Sequence, residues 1–126
     1  MNYDYLALAT SFAKAAGIDT LPHSSEPLLF AWNEEGNELL EFTPHLDASL
    51  CIRLLAEHEL SPRWQHFHRK QADGSWKPMS GVVIWKHGVP TDIDEALSEH
   101  GGDKLKTLQC AVLRAAVVEK TRRVRH

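Results

Sequence analysis

The stretch LKTLQCAVLRAAVV, residues Leu105 to Val118, is the part of the sequence that most constrains the fold. It is apolar nearly all round a helical wheel, and Arg114 is its only charged residue after Lys106. A surface helix keeps a polar face toward water, whereas a helix that is apolar on every side is buried. The pattern therefore predicts a central helix that packs against a sheet and against other helices.

Two further helices are predicted on the N-terminal side of this one. Tyr3 to Ala16 carries apolar side chains at helical spacing and stops at Gly17. Thr43 and Pro44 are a good start for a helix that runs to about Glu59, because a hydroxyl caps free amides and proline suits the first turn. The inward stripe of that helix is predicted to be Leu50, Cys51, Leu54 and Leu55.

Strand patterns fill the remaining segments. Leu28 to Trp32 and Glu38 to Phe42 indicate a hairpin, and its first strand is apolar on both faces. Arg63 to Lys70 indicates a further strand, and GVVIWK at 81–86 another that is apolar on both faces. After it, a Thr and an Asp at capping-box spacing predict a short helix from Asp92 to about Glu99.

These elements predict a single domain over residues 1–126, the length of one ordinary domain. Adjacent strands joined by short turns favour antiparallel pairing, and strands that are apolar on both faces favour helices on each side. We expect an α+β fold: a mostly antiparallel sheet of four to five strands with helices on both faces, forming a three-layer sandwich. The basic residues 120–126 are expected to fray as a tail.

Composition indicates the compartment. The chain is 43% hydrophobic and 25% charged, as globular proteins are, and no apolar run approaches the roughly 18 residues of a membrane span. Its N-terminus carries an early acid, Asp4, rather than the cationic start of a signal peptide. We therefore expect a cytoplasmic protein without membrane association, in which Cys51 and Cys110 stay free, buried thiols.

Charge is distributed unevenly. The net charge is −3, but residues 1–60 carry −8, residues 61–90 carry +4 and residues 91–126 carry +1. A nucleic-acid binder is normally basic across its contact face, so nucleic acid is not an expected partner. The acids Glu34, Glu35, Glu38 and Glu41 of the hairpin either face a basic partner or only keep the turn soluble.

The cationic segment contains the strand RWQHFHRK, Arg63 to Lys70. Side chains of a strand alternate between its faces, which predicts Trp64, His66 and His68 on one face and the intervening residues on the other. Two histidines at this spacing supply two zinc ligands, which gives a metal-dependent enzyme as one hypothesis. Further ligands would come from His45, His58, His87 or His100, but no CxxC or HExxH spacing accompanies them, and no cofactor is predicted.

The same strand supports a second hypothesis, a small phosphorylated, nucleotide-like ligand. Arg63, Arg69 and Lys70 offer charge for a phosphate, and Trp64 offers a ring on which a base stacks. Alternation counts against it, because Arg69 faces away from Trp64, and the sequence has no glycine-rich phosphate loop.

Two weaker patterns concern cysteine chemistry and self-association. Cys51 and His58 share a helix face but are two turns apart, about 10 Å along the axis, so Cys51 is expected to be a core thiol rather than a nucleophile. An apolar strand edge at 28–32 or 82–85 could pair across a two-fold axis, which makes a homodimer possible.

Two segments resemble a known family. FTPHLDASLCIRLLAEH, from Phe42, and TLQCAVLRAAVVE, ending at Glu119, are similar to the paired signatures of the phage α-β-α sandwich family, in which a Ser/Thr and an Asp precede a central helix and a Cys/Arg/Ala-rich helix closes the chain. The residues that carry the likeness are Thr43, Asp47, Cys110, Arg114, Ala115 and Ala116.

The resemblance implies a phage or prophage accessory protein of the bacterial cytoplasm, in a family whose activity is mostly undescribed. Small phage proteins of this size also inhibit host defence by binding a host protein or sequestering a signalling nucleotide. Our leading expectation is therefore non-catalytic binding to a host protein. The nucleotide-like ligand and the metal-dependent enzyme stay open as alternatives.

Overall fold

The computed structural model describes residues 3–23, 25–26 and 28–124, and within them it contains three α-helices and six strands. The helices are α1 (Tyr5–Ala16), α2 (Ala48–His58) and α3 (Lys104–Val124), with short 3-10 helices at Pro44–Leu46 and Leu97–His100. The strands are β1 (Leu21–Pro22), β2 (Leu29–Trp32), β3 (Leu39–Glu41), β4 (Leu60–Lys70), β5 (Trp76–Lys86) and β6 (Val89–Ala96).

The strands form two antiparallel sheets of three strands each, in the orders β1-β2-β3 and β4-β5-β6. The predicted α+β class is confirmed, but the single sheet of four to five strands is wrong. Strand β2 already has a neighbour on each side, since the loop-like segment before it supplies the unpredicted strand β1. The short strand β3 ends just before the 3-10 helix at Pro44–Leu46, so it does not continue toward β4.

Helix α3 is the central element, as the sequence predicts. It contacts α1, α2, both 3-10 helices and all three strands of the β4-β5-β6 sheet. The four consecutive residues 110–113 are all buried. Because successive residues of a helix are about 100° apart, four buried residues in a row mean that this part of the helix is covered on every side.

The β4-β5-β6 sheet packs on α3 through one face, to which Leu60, Val82 and Ile84 contribute. The opposite face carries Arg63, whose guanidinium lies 4.0 Å from the centre of the Trp85 ring. Side chains, rather than the second layer of helices that the sequence predicted, cover this face. The larger sheet therefore has helices on one of its faces instead of on both.

The predicted short helix from Asp92 to Glu99 is wrong, because this segment is mostly strand β6 followed by a 3-10 turn. His87 and Gly88 both have positive φ, 53° and 77°, which is the geometry of a two-residue hairpin turn. This turn sends the chain back along β5. The hydroxyl of Thr91 donates to the carbonyl of Ile84 at 2.7 Å and so binds the sheet instead of capping a helix.

The boundaries of α2 and α3 also differ from prediction. Asp47, not Thr43, caps α2, and its carboxylate accepts the Leu50 N–H at 3.0 Å. Helix α3 continues through Val124, so residues 120–124 of the predicted frayed tail are helical, and residues 125–126 lie outside the described part. In the described residues, no helix combines the length and apolar character that crossing a membrane requires.

The central role of α3 predicts a large difference between two leucines on that helix. Leu113 is 1% exposed and Leu105 is 57% exposed. Leu113→Ala should lower the free energy of unfolding by about 2–5 kcal/mol through the cavity that it leaves. Leu105→Ala should change it by less than about 0.5 kcal/mol. Urea denaturation of both variants measures this, and similar losses would contradict the central placement of α3.

Candidate functional site

The predicted site strand, Arg63 to Lys70, lies within β4 at an edge of its sheet. The pairing of β5 with β6 ends at Gly81, so the part of the β4-β5 hairpin beyond this residue extends past the end of β6. We call this projecting hairpin, residues 66–80, the arm. The alternation predicted from the sequence is present: Trp64, His66 and His68 are exposed, while the residues between them are partly buried.

The cations of this strand do not converge on one place. Arg63 stacks on Trp85 on the face opposite Trp64. Arg69 is bound by two carboxylates, Asp94 at 2.5 Å and Glu99 at 2.6 Å. Both arginines are therefore engaged within the protein, which leaves Lys70 as the cation of the strand on the Trp64 face.

His66 and His68 share a face, but no described His, Cys or acidic side chain forms a group of three with them. Among the described residues, one group of three His, Cys or acidic side chains has its ligand atoms close together. That group is Glu95, His100 and Cys110, whose atoms lie within 4.8 Å of one another. Of the other histidines considered as ligands, His45, His58 and His100 are buried and His87 is exposed.

Glu95 and His100 are the centre of a buried polar cluster between β6, α1 and α3. One Glu95 oxygen lies 2.7 Å from His100 Nε2, and the other accepts from Arg114 Nη1. The same Arg114 nitrogen donates to the main-chain carbonyl of Asp94 at 2.7 Å. The second ring nitrogen of His100 lies 2.8 Å from the hydroxyl of Tyr5. The cluster therefore connects four elements: α1, β6, the 3-10 helix at Leu97–His100 and α3.

The polar groups of this cluster contact one another. Both nitrogens of His100 and both oxygens of Glu95 already have partners, and Arg114 supplies the countercharge to the carboxylate. Burial and the charge of Glu95 raise the pKa of Cys110 to about 12, so its sulfur is a neutral thiol at physiological pH. A neutral thiol is a poor nucleophile. Burial also raises the pKa of Cys51.

The sequence analysis missed an exposed apolar surface on the small sheet. The strand register places Leu21 opposite Phe30 and Trp32 opposite Leu39, so these four side chains share one face. We call this set the outer apolar face. Trp32 is 56% exposed, and Leu21 and Leu39 are exposed as well. The opposite face of β2 carries Leu29 and Ala31, which are buried.

A groove with a volume of about 490 Å³ borders this sheet, between β3 and the start of α2. Trp32, Leu40 and Leu46 line it, and all three are exposed. Asp47, the cap of α2, also borders it. The groove therefore extends the outer apolar face around the free edge of β3.

The hairpin that joins β2 and β3 is strongly acidic. Asn33 organises its turn, since its side-chain oxygen accepts from the Asn37 N–H at 3.1 Å. The acids project from this turn and from β3, and no described cation forms an ion pair with any of them. They are Glu34, Glu35, Glu38 and Glu41, and all four are exposed. We call them the acidic hairpin.

Comparison of the chain with protein-family models, curated proteins and solved structures finds no match. Its function therefore has to be inferred from its own surfaces. The arm carries exposed rings, but both arginines near it are engaged elsewhere. The outer apolar face combines exposed apolar side chains with unpaired acids, and a sequence signal for it existed in the apolar character of both faces of β2.

The state of the two thiols is directly testable. Cys51 and Cys110 are free and buried, and the pKa of each is raised. At pH 8 the folded protein should react with a thiol reagent more than about 100-fold more slowly than the variant Ser98→Cys, which presents an exposed thiol. In denaturant, both native thiols should react quickly. Fast modification of either native thiol in the folded protein would contradict its burial as a neutral thiol.

Proposed function

We propose that this protein acts without catalysis, by binding another protein through the outer apolar face and the acidic hairpin. The observation that carries the proposal is that β2 is apolar on both faces while only its Leu29 and Ala31 face is buried. Contiguous exposed apolar side chains on a folded protein mark interaction sites. Trp32 is of the residue type that most often dominates binding energy at such sites.

We further propose that the partner is a host protein and that the chain is a phage or prophage accessory protein of the bacterial cytoplasm. The support is the resemblance of residues 42–58 and 107–119 to the phage α-β-α sandwich family. The first of these segments forms one wall of the groove beside β3, with Leu46 and Asp47 among its lining residues. A binding role at this groove therefore agrees with the resemblance.

The two alternative functions receive less support from the contacts. A phosphorylated ligand on the strand from Arg63 to Lys70 would need its arginines, yet Arg69 is already held by two carboxylates. A metal-dependent enzyme would need at least one more protein ligand beside His66 and His68, and the described residues bring none into a group with them.

A homodimer through the two predicted strand edges is also less supported. The segments 28–32 and 82–85 are not edges, because β2 lies between β1 and β3 and β5 lies between β4 and β6. Of the two end strands of the small sheet, β3 is the one that borders the groove and the acidic hairpin. A symmetric dimer at that edge would bring the acidic hairpins of two copies together, and like charges at close range repel.

The proposal is tested by photo-crosslinking in bacterial cells. A photoreactive phenylalanine analogue is placed at Trp32 in one variant and at Trp64, on the other sheet, in a second. We expect a discrete crosslinked protein from position 32 and none from position 64. Its yield should fall about tenfold when Glu35 and Glu38 are changed to Lys, because the acids contribute to recognition.

Asp92→Lys, a charge change on an exposed residue of β6, is the matched control and should leave the crosslink unchanged. Crosslinking from position 64 alone would contradict the proposal and favour the face of β4 that carries Trp64, His66 and His68. Absence of a crosslink from position 32, with the variant folded and expressed, would also contradict it.

A further inference from the structure

The hydrogen bonds between β2 and β3 show which main-chain groups of β3 are already used. Phe42 N–H donates to the Leu29 carbonyl at 2.7 Å, and Asn33 N–H donates to the Glu38 carbonyl at 2.9 Å. When the register of β2 and β3 is continued by one residue at each end, each of these donors lies directly opposite its acceptor. In an antiparallel ladder, bonded and non-bonded pairs alternate. Leu40, midway between them, therefore also directs its main-chain groups toward β2.

The alternation leaves Leu39 and Glu41 with main-chain N–H and C=O groups that point away from β2. The hydrogen bonds between β2 and β1 lead to the same conclusion. His23 N–H donates to the Leu28 carbonyl at 3.0 Å, and two residues further along the ladder Phe30 therefore directs its groups toward β1. Phe30 is the residue opposite Glu41, so Glu41 has no bonding partner on β2.

Strand β3 is an end strand of its sheet in the described part of the chain. An exposed strand edge is a template onto which another strand can pair, and proteins commonly protect such edges with charges. Here the protecting charges all have the same sign, because the charged residues of β3 and its turn are all acidic. Glu38 and Glu41 discourage pairing with a second copy of the same edge, and they attract a segment that carries Lys or Arg.

The side-chain environment defines the rest of the ligand. A strand added beside β3 would place alternate side chains over the outer apolar face, near Leu39 and Trp32, and the remaining ones over the groove, near Leu40 and Leu46. Both environments are apolar at their centre and acidic at the hairpin. The segment that fits has a short apolar centre with basic residues flanking it.

We propose that β3 captures an extended, basic segment of the partner protein by strand addition, with the main-chain groups of Leu39 and Glu41 as its hydrogen-bonding edge. This inference rests on the proposed function and names the chemistry of the partner. The main chain supplies binding that is independent of sequence, and the acids and apolar side chains supply selectivity.

The test is amide hydrogen exchange measured by NMR on the full chain. In the free protein, the amides of Leu40 and Phe42 should exchange slowly and those of Leu39 and Glu41 quickly. The probe is an acetylated and amidated octapeptide, Lys-Lys-Val-Thr-Val-Thr-Lys-Lys. At saturation it should slow exchange at Leu39 and Glu41 by at least about tenfold, because their N–H groups then have acceptors.

Two control peptides separate main-chain pairing from other contacts. In one peptide the main-chain nitrogens of both valines are methylated, and in the other those of both threonines. Because alternate residues of a strand direct their N–H groups to the same edge, each peptide lacks the donors of one edge. One of the two should bind at least about tenfold more weakly than the parent. A third peptide with Glu in place of Lys should show no binding, because it meets the acidic hairpin with like charge.

Each other outcome overturns strand addition in a recognisable way. If the parent peptide binds but both methylated peptides bind equally well and Leu39 and Glu41 stay unprotected, side chains alone form the contact, and the proposed function survives. If no basic peptide binds, strand addition fails while crosslinking from position 32 still decides the proposed function. Protection of Leu39 and Glu41 that rises with protein concentration alone would make a second copy the occupant.

Discussion

The burial of the middle of α3 on every side, at residues 110–113, is the constraint on which the rest of the structure depends. A helix without a polar face needs several partners, and here they are the β4-β5-β6 sheet, α1 and α2. The polar groups that such a helix carries must then find partners inside the protein. Thr107 donates to the carbonyl of Asp103 at 2.7 Å, and Arg114 binds Glu95 and the carbonyl of Asp94. The buried cluster around Glu95 follows from the placement of the helix.

The same constraint explains which apolar surface of the protein stays exposed. One face of the larger sheet packs on α3. The small sheet contacts a helix at one place, where β2 packs against α1. The small sheet therefore buries Leu29 and Ala31 and leaves Trp32 and Leu39 to solvent. Exposed apolar surface of this extent is typical of an interaction site that a partner covers. The acidic hairpin beside it indicates that the partner carries positive charge.

Long periodic patterns in the sequence predicted the fold well in places. Helix α3, the β2-β3 hairpin, the inward stripe of α2 and the buried thiols all follow from local spacing. Strand β6 was missed because its pairing depends on the turn at His87 and Gly88, and His-Gly is a less familiar sequence for that turn than Asn-Gly. Strand β1 was missed because it has two residues and lies inside a segment that has the composition of a loop.

The candidate site was less predictable, for reasons that particular residues show. Alternation correctly placed Trp64, His66 and His68 on one face of β4. The loss of Arg69 as a ligand-binding group depends on Asp94 and Glu99, which lie far away along the chain, and no local pattern reveals such pairs. The two apolar faces of β2 were recognised, but they were interpreted as evidence of cover on both sides rather than of a free surface.

The central claim, that the small sheet and not the hairpin of β4 and β5 is the docking surface, is tested most directly by oxidative footprinting of tryptophan. Hydroxyl radicals label exposed rings, and Trp32, Trp64 and Trp76 are all exposed in the free protein. The account predicts that labelling of Trp32 falls sharply when the crosslinked partner is bound, while labelling of Trp64 and Trp76 stays the same. Protection of Trp64 and Trp76, with Trp32 still fully labelled, would contradict it.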